Sequence, residues 1–301
     1  MYLALLYYIL LLLLLTLYFP ILNNSYSIEP ENLKVDNFEV TKIYPTKENG
    51  REWFANMEDI SDDDLFYTDS ELTQQQDGSW RVSAENLPSE SRGQVRLEIG
   101  TSDNKDPWKN VEITGYVRVV NTTGHDEYKS SDIENIFQWY ARGGNHSNAV
   151  PCEGTSLKGR INLNGYVSWV KEIWHTGGYT EEESVVKATS PLVSREDDSG
   201  RYFDGRWIGF KVAIFNINED KAVRMESYVD EYASNDWRKA NSLDDIGNWT
   251  SDNENFDDVD CGKPRNYIVT NSGPIVTFRS DDIVWDFKNL SIREIDFEAV
   301  R

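Results

Sequence analysis

Basic, imidazole and aromatic side chains concentrate in the middle of this 301-residue chain. Between residues 136 and 175, four Lys or Arg stand against two Glu, whereas the whole chain has a formal net charge of −22. Two of its three histidines, His146 and His175, also fall there, with tyrosines and tryptophans between the cations. Such a patch would draw an anionic ligand to one surface, and aromatic faces suit sugar rings, so we predict a site for an anionic polysaccharide. The alternative is that the rings are core and the cations are ordinary exposed strand residues.

The elements that must position these side chains are β-strands. From Trp80 onward, short segments rich in Val, Ile, Tyr, Trp and Phe alternate with clusters of Gly, Asn, Asp and Pro, which is typical of an all-β fold. The predicted strands are 93–99, 112–120, 136–142, 157–163, 166–174, 206–217, 222–230, 274–279 and 282–296. Because no convincing amphipathic helix lies between them, they predict two packed antiparallel sheets in a β-sandwich or jelly roll.

Two β-hairpins are expected. Asn164-Gly165 supplies the positive φ angles of a two-residue type I′ turn between strands 157–163 and 166–174. Residues 219–221 connect strands 206–217 and 222–230 in the same way. Alternation along 166–174, continued to the next residue, puts His175 on the face of Trp169 and Lys171. Both faces of this strand mix aromatic and polar residues, as expected where one side is core and the other is a groove.

Four segments of the chain, taken in order, resemble the signatures of a known enzyme family. They are QWYARGGNH (138–146), EGTSLKGR (153–160), KEIWH (171–175) and FKVAIFNIN (210–218). Their order resembles that of polysaccharide lyase family 7, the alginate lyases, with the signatures R-(S/T)-E-L-R, Q-(I/V)-H and Y-F-K-A-G-x-Y-N-Q. The resemblance covers roughly residues 90–297. It implies a concanavalin A-like jelly roll and cleavage of polyuronates by metal-free β-elimination.

The resemblance also implies roles for single residues. Lys211 and Asn216 match the third signature, whereas its proton-donating Tyr falls on Phe215. Another phenol, that of Tyr166, Tyr140 or Tyr179, would then have to act as the acid. His175 matches the histidine of the second signature and is the predicted base, with a hydrogen-bonded structural histidine as the alternative. The predicted catalytic residues are His175, Arg142, Arg160, Lys211 and Tyr166. The predicted substrate-binding residues are Gln138, Tyr140, His146, Lys158, Trp169, Lys171 and Asn216. Besides a polyuronate lyase, we consider a non-catalytic carbohydrate-binding or adhesion module and a structural envelope protein.

The amino-terminal residues predict export. Tyr2–Leu22 has no charged side chain and is long enough to span a bilayer, so we expect residues 1–22 to form a hydrophobic helix that serves as signal anchor or signal peptide. The remaining chain would then be extracellular or at the cell surface, where Cys152 and Cys261 can form a disulfide; two free buried thiols are the alternative. Residues 23–75 are polar and acidic and predict a stalk, followed by a jelly-roll domain over 76–301.

Composition argues against other classes of function. The net negative charge repels phosphate backbones, which excludes nucleic acid as a partner of the whole surface. Two Cys and three His leave little for a zinc site, so no metal and no cofactor are predicted. Acidic clusters at residues 62–64, 197–198, 244–245 and 257–260 could supply oxygen ligands to a structural Ca²⁺, but none matches an EF-hand loop, and solvated loops are the interpretation we favour.

Overall fold

The computed structural model describes residues 35–83, 94–100, 106–122, 136–147, 149–163, 165–180, 205–281 and 283–300. These residues form fourteen β-strands and two short 3₁₀ helices. The strands are β1 (Glu52–Phe54), β2 (Phe66–Tyr67), β3 (Leu72–Gln74), β4 (Trp80–Val82), β5 (Gln94–Ile99), β6 (Val111–Thr122), β7 (Ile136–Gly143), β8 (Ser156–Asn162), β9 (Val167–Glu172), β10 (Ile208–Ile217), β11 (Ala222–Asp230), β12 (Arg238–Asp245), β13 (Ile275–Asp281) and β14 (Ile283–Glu294). The 3₁₀ helices are Glu254–Asp258 and Glu298–Val300.

The strands form two antiparallel sheets, which confirms the predicted all-β sandwich. The eight-stranded sheet has the order β12-β11-β10-β6-β14-β4-β3, with β1 also paired to β14. The six-stranded sheet has the order β2-β5-β13-β7-β8-β9. Neighbours in sequence are often not neighbours in the sheet, so the chain crosses repeatedly between the two layers.

The core lies between the two sheets and is built from alternate residues of the strands. Along β7, Phe137, Trp139 and Ala141 are buried in the main apolar core. The ring of Trp139 reaches the opposite sheet, where its Nε1 donates a 3.0 Å hydrogen bond to the carbonyl of Phe210. Since side chains alternate across a strand, the intervening residues of β7 face outward, and the same rule fixes the outward side of β5, β8, β9 and β13.

The predicted strands are present, with ends that differ by a few residues. The largest consequence is at β9, which ends at Glu172 and not at residue 174. The pattern missed β1–β4 and β12. The last of these, with the sequence RKANSLDD, is an edge strand whose residues are mostly polar and partly exposed, so it carries no apolar alternation.

Both predicted hairpins occur. In the first, Asn162 N donates to the carbonyl of Tyr166 at 2.8 Å, which leaves a three-residue loop and not the expected two-residue turn. Gly165 has a φ of +84°, the left-handed position that a three-residue loop requires. In the second, Ile217 pairs with Ala222 and the connection contains residues 219–221, as expected.

The described part of the predicted stalk belongs to the sandwich. β1, β2 and β3 pair with β14, β5 and β4, respectively. Ahead of them, the segment 35–50 covers part of the outer face of the eight-stranded sheet: the carbonyl of Thr41 accepts from Lys211, and the hydroxyl of Tyr44 donates to Glu226 at 2.7 Å. The fold therefore includes residues from 35 on and does not begin at 76, because this polar segment meets its partners in side chains of distant strands.

The expected helix over residues 1–22 lies outside the described residues. Within the described part of the chain, no helix is long and apolar enough to cross a membrane.

A buried ion triad holds segment 35–50 to the sheet. Lys211 Nζ lies 2.8 Å and Arg293 Nη2 lies 2.6 Å from Glu112 Oε1, and each of the three side chains is at most 1% exposed. The other oxygen of Glu112 accepts from the backbone N–H groups of Ile43 and Tyr44 at 3.1 Å. Burial alone would raise the pKa of Glu112, but the two cations more than offset burial and hold this pKa below its ordinary value.

We expect Glu112→Gln to lower the free energy of unfolding by about 3–5 kcal/mol at neutral pH, because two buried cations lose their anion. The pKa of Glu112 is depressed in the folded state, so its contribution is present above the ordinary glutamate pKa and is lost as the pH falls through the folded value. Urea unfolding at neutral and acidic pH measures the free energy of unfolding of both proteins. The difference in this free energy between Glu112→Gln and wild type should shrink in acid. Exposed Glu219→Gln is the control; a Glu112→Gln protein as stable as this control at neutral pH contradicts the prediction.

Candidate functional site

The outer face of the six-stranded sheet is polar and ionic, and we call it the polar face. The strand registers place Tyr140 of β7 between Lys158 of β8 and Thr277 of β13. Gln138 likewise lies between Arg160 and Arg279. The charged groups of this face are Arg96, Glu98, Lys158, Arg160, Glu172, Arg279 and Asp281. Four cations against three acids on these strands make the face far less negative than the chain as a whole. Asp69 also lies near this face, where burial and the Asp69 charge raise the pKa of Glu98.

Glu172 is at the centre of a group of side chains that we call the Glu172 cluster, made of Lys158, Glu172, His146, His175 and Tyr179. Lys158 Nζ lies 2.6 Å from Glu172 Oε2, and both side chains are almost fully buried. On the other oxygen, Oε1, His146 Nε2 lies at 3.3 Å and His175 Nδ1 at 3.2 Å. The two imidazole rings touch, with 3.7 Å between their centroids.

Phenol rings complete the cluster. The hydroxyl of Tyr179 lies 3.4 Å from His175 Nδ1. The ammonium of Lys158 lies 4.9 Å from the ring centroid of Tyr179 and 5.2 Å from that of Tyr140. An ammonium near aromatic rings is attracted by the ring quadrupoles, so these contacts support the charge of Lys158 in a buried place.

Burial governs the protonation of the cluster. It lowers the pKa of Lys158 to about 8, although Glu172 acts in the opposite direction. Burial would raise the pKa of Glu172, but the charge of Lys158 and the close contacts of the two imidazoles with the carboxylate hold this pKa well below its usual range. Burial also lowers the pKa of His146, and burial together with the Glu172 charge raises the pKa of Tyr179. At neutral pH the cluster thus combines a carboxylate, a neutral imidazole at His146 and a protonated phenol.

The end of β9 explains the position of His175. After Glu172 the chain turns, and the backbone N–H of His175 donates to the carbonyl of Glu153 at 2.7 Å. This turn places the imidazole beside Glu172 on the polar face. The predicted placement on the face of Trp169 is wrong, because strand alternation does not continue through a turn.

At Gly154, the backbone of the loop before β8 lies very close to the side chains of the Glu172 cluster. A Cβ atom at this position would lie 3.0 Å from His175 Cβ, 3.1 Å from His146 Cδ2 and 3.2 Å from Glu172 Oε1. The loop is fixed two residues earlier by the predicted Cys152–Cys261 disulfide, which the structure confirms. The bridge and the glycine together allow the backbone to approach all three side chains.

Six predicted site residues lie on or beside the polar face: Gln138, Tyr140, His146, Lys158, Arg160 and His175. Gln138 is buried there; it donates to Asp281 at 3.0 Å and accepts from Arg160 at 3.3 Å. Tyr166 is 41% exposed at the hairpin, six residues before Glu172 and thus roughly 20 Å away along β9.

Two further predicted residues belong to the interior. Trp169 is part of the apolar core. The ammonium of Lys171 is fully buried and donates to Asp245 at 2.9 Å and to the carbonyls of Trp249 at 2.7 Å and Tyr267 at 2.9 Å. Lys171 therefore does not face a groove, because it lies on the inward side of β9.

Arg142, Asn216 and Lys211 are also placed away from the Glu172 cluster. The guanidinium of Arg142 donates to the carbonyls of Val269 and Lys109, and burial lowers its pKa to about 9. Asn216 donates to Asp220 and to a loop carbonyl. Lys211 belongs to the triad with Glu112 on the other sheet.

The residues carried over from the lyase family consequently do not meet. Phe215, at the position of the family's proton donor, contacts Tyr44 and stacks on Phe297 with 4.7 Å between ring centroids, outside the eight-stranded sheet. His175 lies outside the other sheet. Groups that act on one substrate must lie within hydrogen-bond reach of it, and the whole core separates these two.

Sequence reasoning missed Glu172 and Arg279, and it named Tyr179 only as one of three phenols that could replace the acid. The available signal was the pair Glu172 and His175, three residues apart. Among the described residues, Glu172 Oε1, His146 Nε2 and His175 Nδ1 lie within 4.8 Å of one another and could hold a metal ion, so the expectation of no metal is not confirmed.

The acidic clusters have other partners where the structure describes them. Asp244 pairs with Arg224 at 2.6 Å, Asp245 with Lys171 at 2.9 Å, and Asp257 with Arg265 at 2.7 Å. Residues 197–198 lie outside the described residues. These ion pairs favour structural roles over the suggested Ca²⁺ coordination.

No protein-family model and no curated protein matches the sequence. Solved structures do match. The winged bean acidic lectin complexed with methyl-α-D-galactose has a TM-score of 0.42 at 7% identity, covering 81% of this chain and 97% of that chain. A Bacillus subtilis protein of unknown function with a galectin-like fold has a TM-score of 0.41 at 8% identity, covering 84% and 98%. Arcelin-5, a lectin-like defence protein from Phaseolus vulgaris, has a TM-score of 0.38 at 10% identity, covering 81% and 98%. At such values we infer no function from these neighbours, and the assignment as a two-sheet antiparallel sandwich rests on the strand order.

We expect Gly154→Ala to disturb the cluster beyond the cost of its positive φ. Gly78 is the matched control, because its φ of +79° resembles the +86° of Gly154, yet a Cβ atom there would have no neighbour within 4 Å. Each alanine should lower the free energy of unfolding by about 1–2 kcal/mol for the left-handed backbone. Only Gly154→Ala should lose about 1–3 kcal/mol more through overpacking and shift the histidine ring signals in NMR spectra. Equal effects at both positions contradict a close fit at Gly154.

Proposed function

We propose that this protein binds an acidic polysaccharide on the polar face. The observation that supports this proposal is the gathering of Arg96, Lys158, Arg160 and Arg279 around two tyrosines and two imidazoles on one outer surface. The rest of the chain is strongly acidic and repels a polyanion, so binding requires such a local concentration of cations. Segment 35–50 covers part of the outer face of the other sheet. The uncovered part also carries cations beside an aromatic ring, since Arg118 and Lys288 lie over Trp207, but Arg118 is already bound by the carboxylate of Asp286.

The donors that a carboxylate can use differ along the face. Lys158 and Arg279 already have anionic partners, Glu172 at 2.6 Å and Asp281 at 2.8 Å. Arg96 and Arg160 are both partly exposed, and each donates to a neutral amide at 3.3 Å, Arg96 to Gln94 and Arg160 to Gln138. The carboxylate of a uronate would add charge-assisted hydrogen bonds to the exposed parts of these guanidinium groups.

We expect Arg160→Gln to weaken the binding of alginate or glucuronan about tenfold or more, since a charged hydrogen bond contributes about 1.5–3 kcal/mol. Binding should weaken with added salt, and neutral dextran should not bind. Isothermal titration of the purified protein measures this. Arg224→Gln is the matched control, because Arg224 lies on the outer side of the other sheet and is partly exposed like Arg160. Equal affinity in both variants, or equal binding of dextran, contradicts the proposal.

Polyuronate cleavage by β-elimination is the second candidate. The observation that favours it is the approach of Tyr179 to His175, which puts a phenol beside an imidazole without help from Phe215. The raised pKa of Tyr179 keeps its proton, as a general acid requires, and His175 would take the C5 proton of the uronate. The proton removed and the proton donated balance, and a C4–C5 double bond replaces the broken glycosidic C–O bond.

If elimination occurs, the unsaturated product should appear as new ultraviolet absorbance when the protein is incubated with alginate or glucuronan. Tyr179→Phe should then lower the rate at least about 100-fold, the usual contribution of a general acid. Tyr166→Phe is the control and should keep the full rate, because Tyr166 lies at the far end of β9. Binding without new absorbance overturns elimination and leaves the binding proposal in place.

A further inference from the structure

Three side chains of the Glu172 cluster have the composition of a zinc site. His146 Nε2, from the loop after β7, and Glu172 Oε1 and His175 Nδ1, from the end of β9 and the turn that follows, lie within 4.8 Å of one another. Two imidazoles and one carboxylate form a common protein ligand set of zinc sites that keep a fourth position open. Both histidine side chains are about one-fifth exposed, although the Nε2 atom of His146 is itself buried, so the three ligand atoms lie beneath the surface of the polar face.

Two of the three spacings between the ligand atoms match those of a tetrahedral ion, and the third, between the two imidazole nitrogens, is at most 4.8 Å. With metal–ligand distances of about 2.0–2.1 Å, two ligands of a tetrahedron lie about 3.3 Å apart. Glu172 Oε1 lies 3.3 Å from His146 Nε2 and 3.2 Å from His175 Nδ1. At the same time His146 Nε2 is buried and makes no hydrogen bond of acceptable geometry, although the carboxylate oxygen is near. An imidazole nitrogen is expected to be buried and without a hydrogen bond in this way if its lone pair is directed at a metal ion that Glu172 and His175 also bind.

The surroundings orient these ligands. Ser156 Oγ donates to Glu172 Oε2 at 3.0 Å, and Lys158 binds the same oxygen, which leaves Oε1 for an ion. Gly154 lets the disulfide-anchored loop close over both imidazoles and the carboxylate. Hydrogen bonds that fix a ligating carboxylate are typical of the outer shell of metal sites.

We propose that His146, Glu172 and His175 bind one Zn²⁺ ion, with water at the fourth position. Imidazole ligands favour zinc over Ca²⁺ and Mg²⁺, which prefer oxygen. This inference does not depend on a glycan. A bound ion would occupy His175 Nδ1 and displace the contact with Tyr179, so zinc binding and the elimination described above exclude one another.

Titration of the chelator-treated, full-length protein with ZnCl₂ in a calorimeter tests the proposal. We expect one zinc per chain, with no competition from excess Ca²⁺ or Mg²⁺. His146→Ala and His175→Ala should each weaken binding more than about 100-fold, beyond the usual cost of outer-shell changes. His125→Ala, at the third histidine of the chain, is the control and should bind as wild type. The absence of stoichiometric zinc binding, or equal affinity in all three variants, overturns the site.

A second measurement needs no variant and covers the case in which a substitution prevents folding. X-ray absorption of the zinc-loaded wild-type protein should show two imidazole ligands and otherwise oxygen, and Co²⁺ in place of zinc should give the visible absorption of tetrahedral coordination. All-oxygen coordination overturns the proposal. Because neither measurement contains polysaccharide, failure here leaves the glycan proposal standing, and failure of glycan binding leaves the zinc site standing.

Discussion

Both oxygens of the Glu172 carboxylate contact neighbouring side chains and fix their positions. One oxygen is bound by Lys158 and Ser156, and the other lies beside the two imidazoles. A buried carboxylate is costly unless it is paired, and a buried ammonium is equally costly, so each stabilises the other. Without Glu172, Lys158 would be an isolated charge beneath the tyrosines. The geometry of the polar face therefore depends on this one ion pair.

The same constraint appears elsewhere in the sandwich and limited what could be predicted about the site. Lys171 and Lys211 are as basic in the sequence as Lys158, but each is buried against its own carboxylate, Asp245 and Glu112. In a chain with 30 Lys and Arg against 52 Asp and Glu, a cation readily finds a buried acid as its partner. The number of cations along a segment could locate the polar face. It could not distinguish a cation that is available to bind a ligand from one that is buried in an ion pair.

A strand with one apolar side, such as β5 or β11, was predictable because its apolar and polar residues alternate in the sequence. β12 could not be predicted in this way, since it is a polar edge strand that pairs with β11 through its backbone. The position of His175 was missed for a local reason, the turn after Glu172. The convergence of His146 with that turn depends on loop 144–155, and no periodic pattern encodes it.

Because segment 35–50 packs on the outside of the eight-stranded sheet, the two outer faces of the sandwich differ. We call the side of the eight-stranded sheet the back and the polar face the front. The described chain enters at Val35 on the back, near the pairing of Val35 with Thr41, while the imidazoles lie on the front. The first described residue and the Glu172 cluster therefore lie on opposite faces of the sandwich. A ligand bound on the polar face would leave the start of the described chain uncovered on the far side.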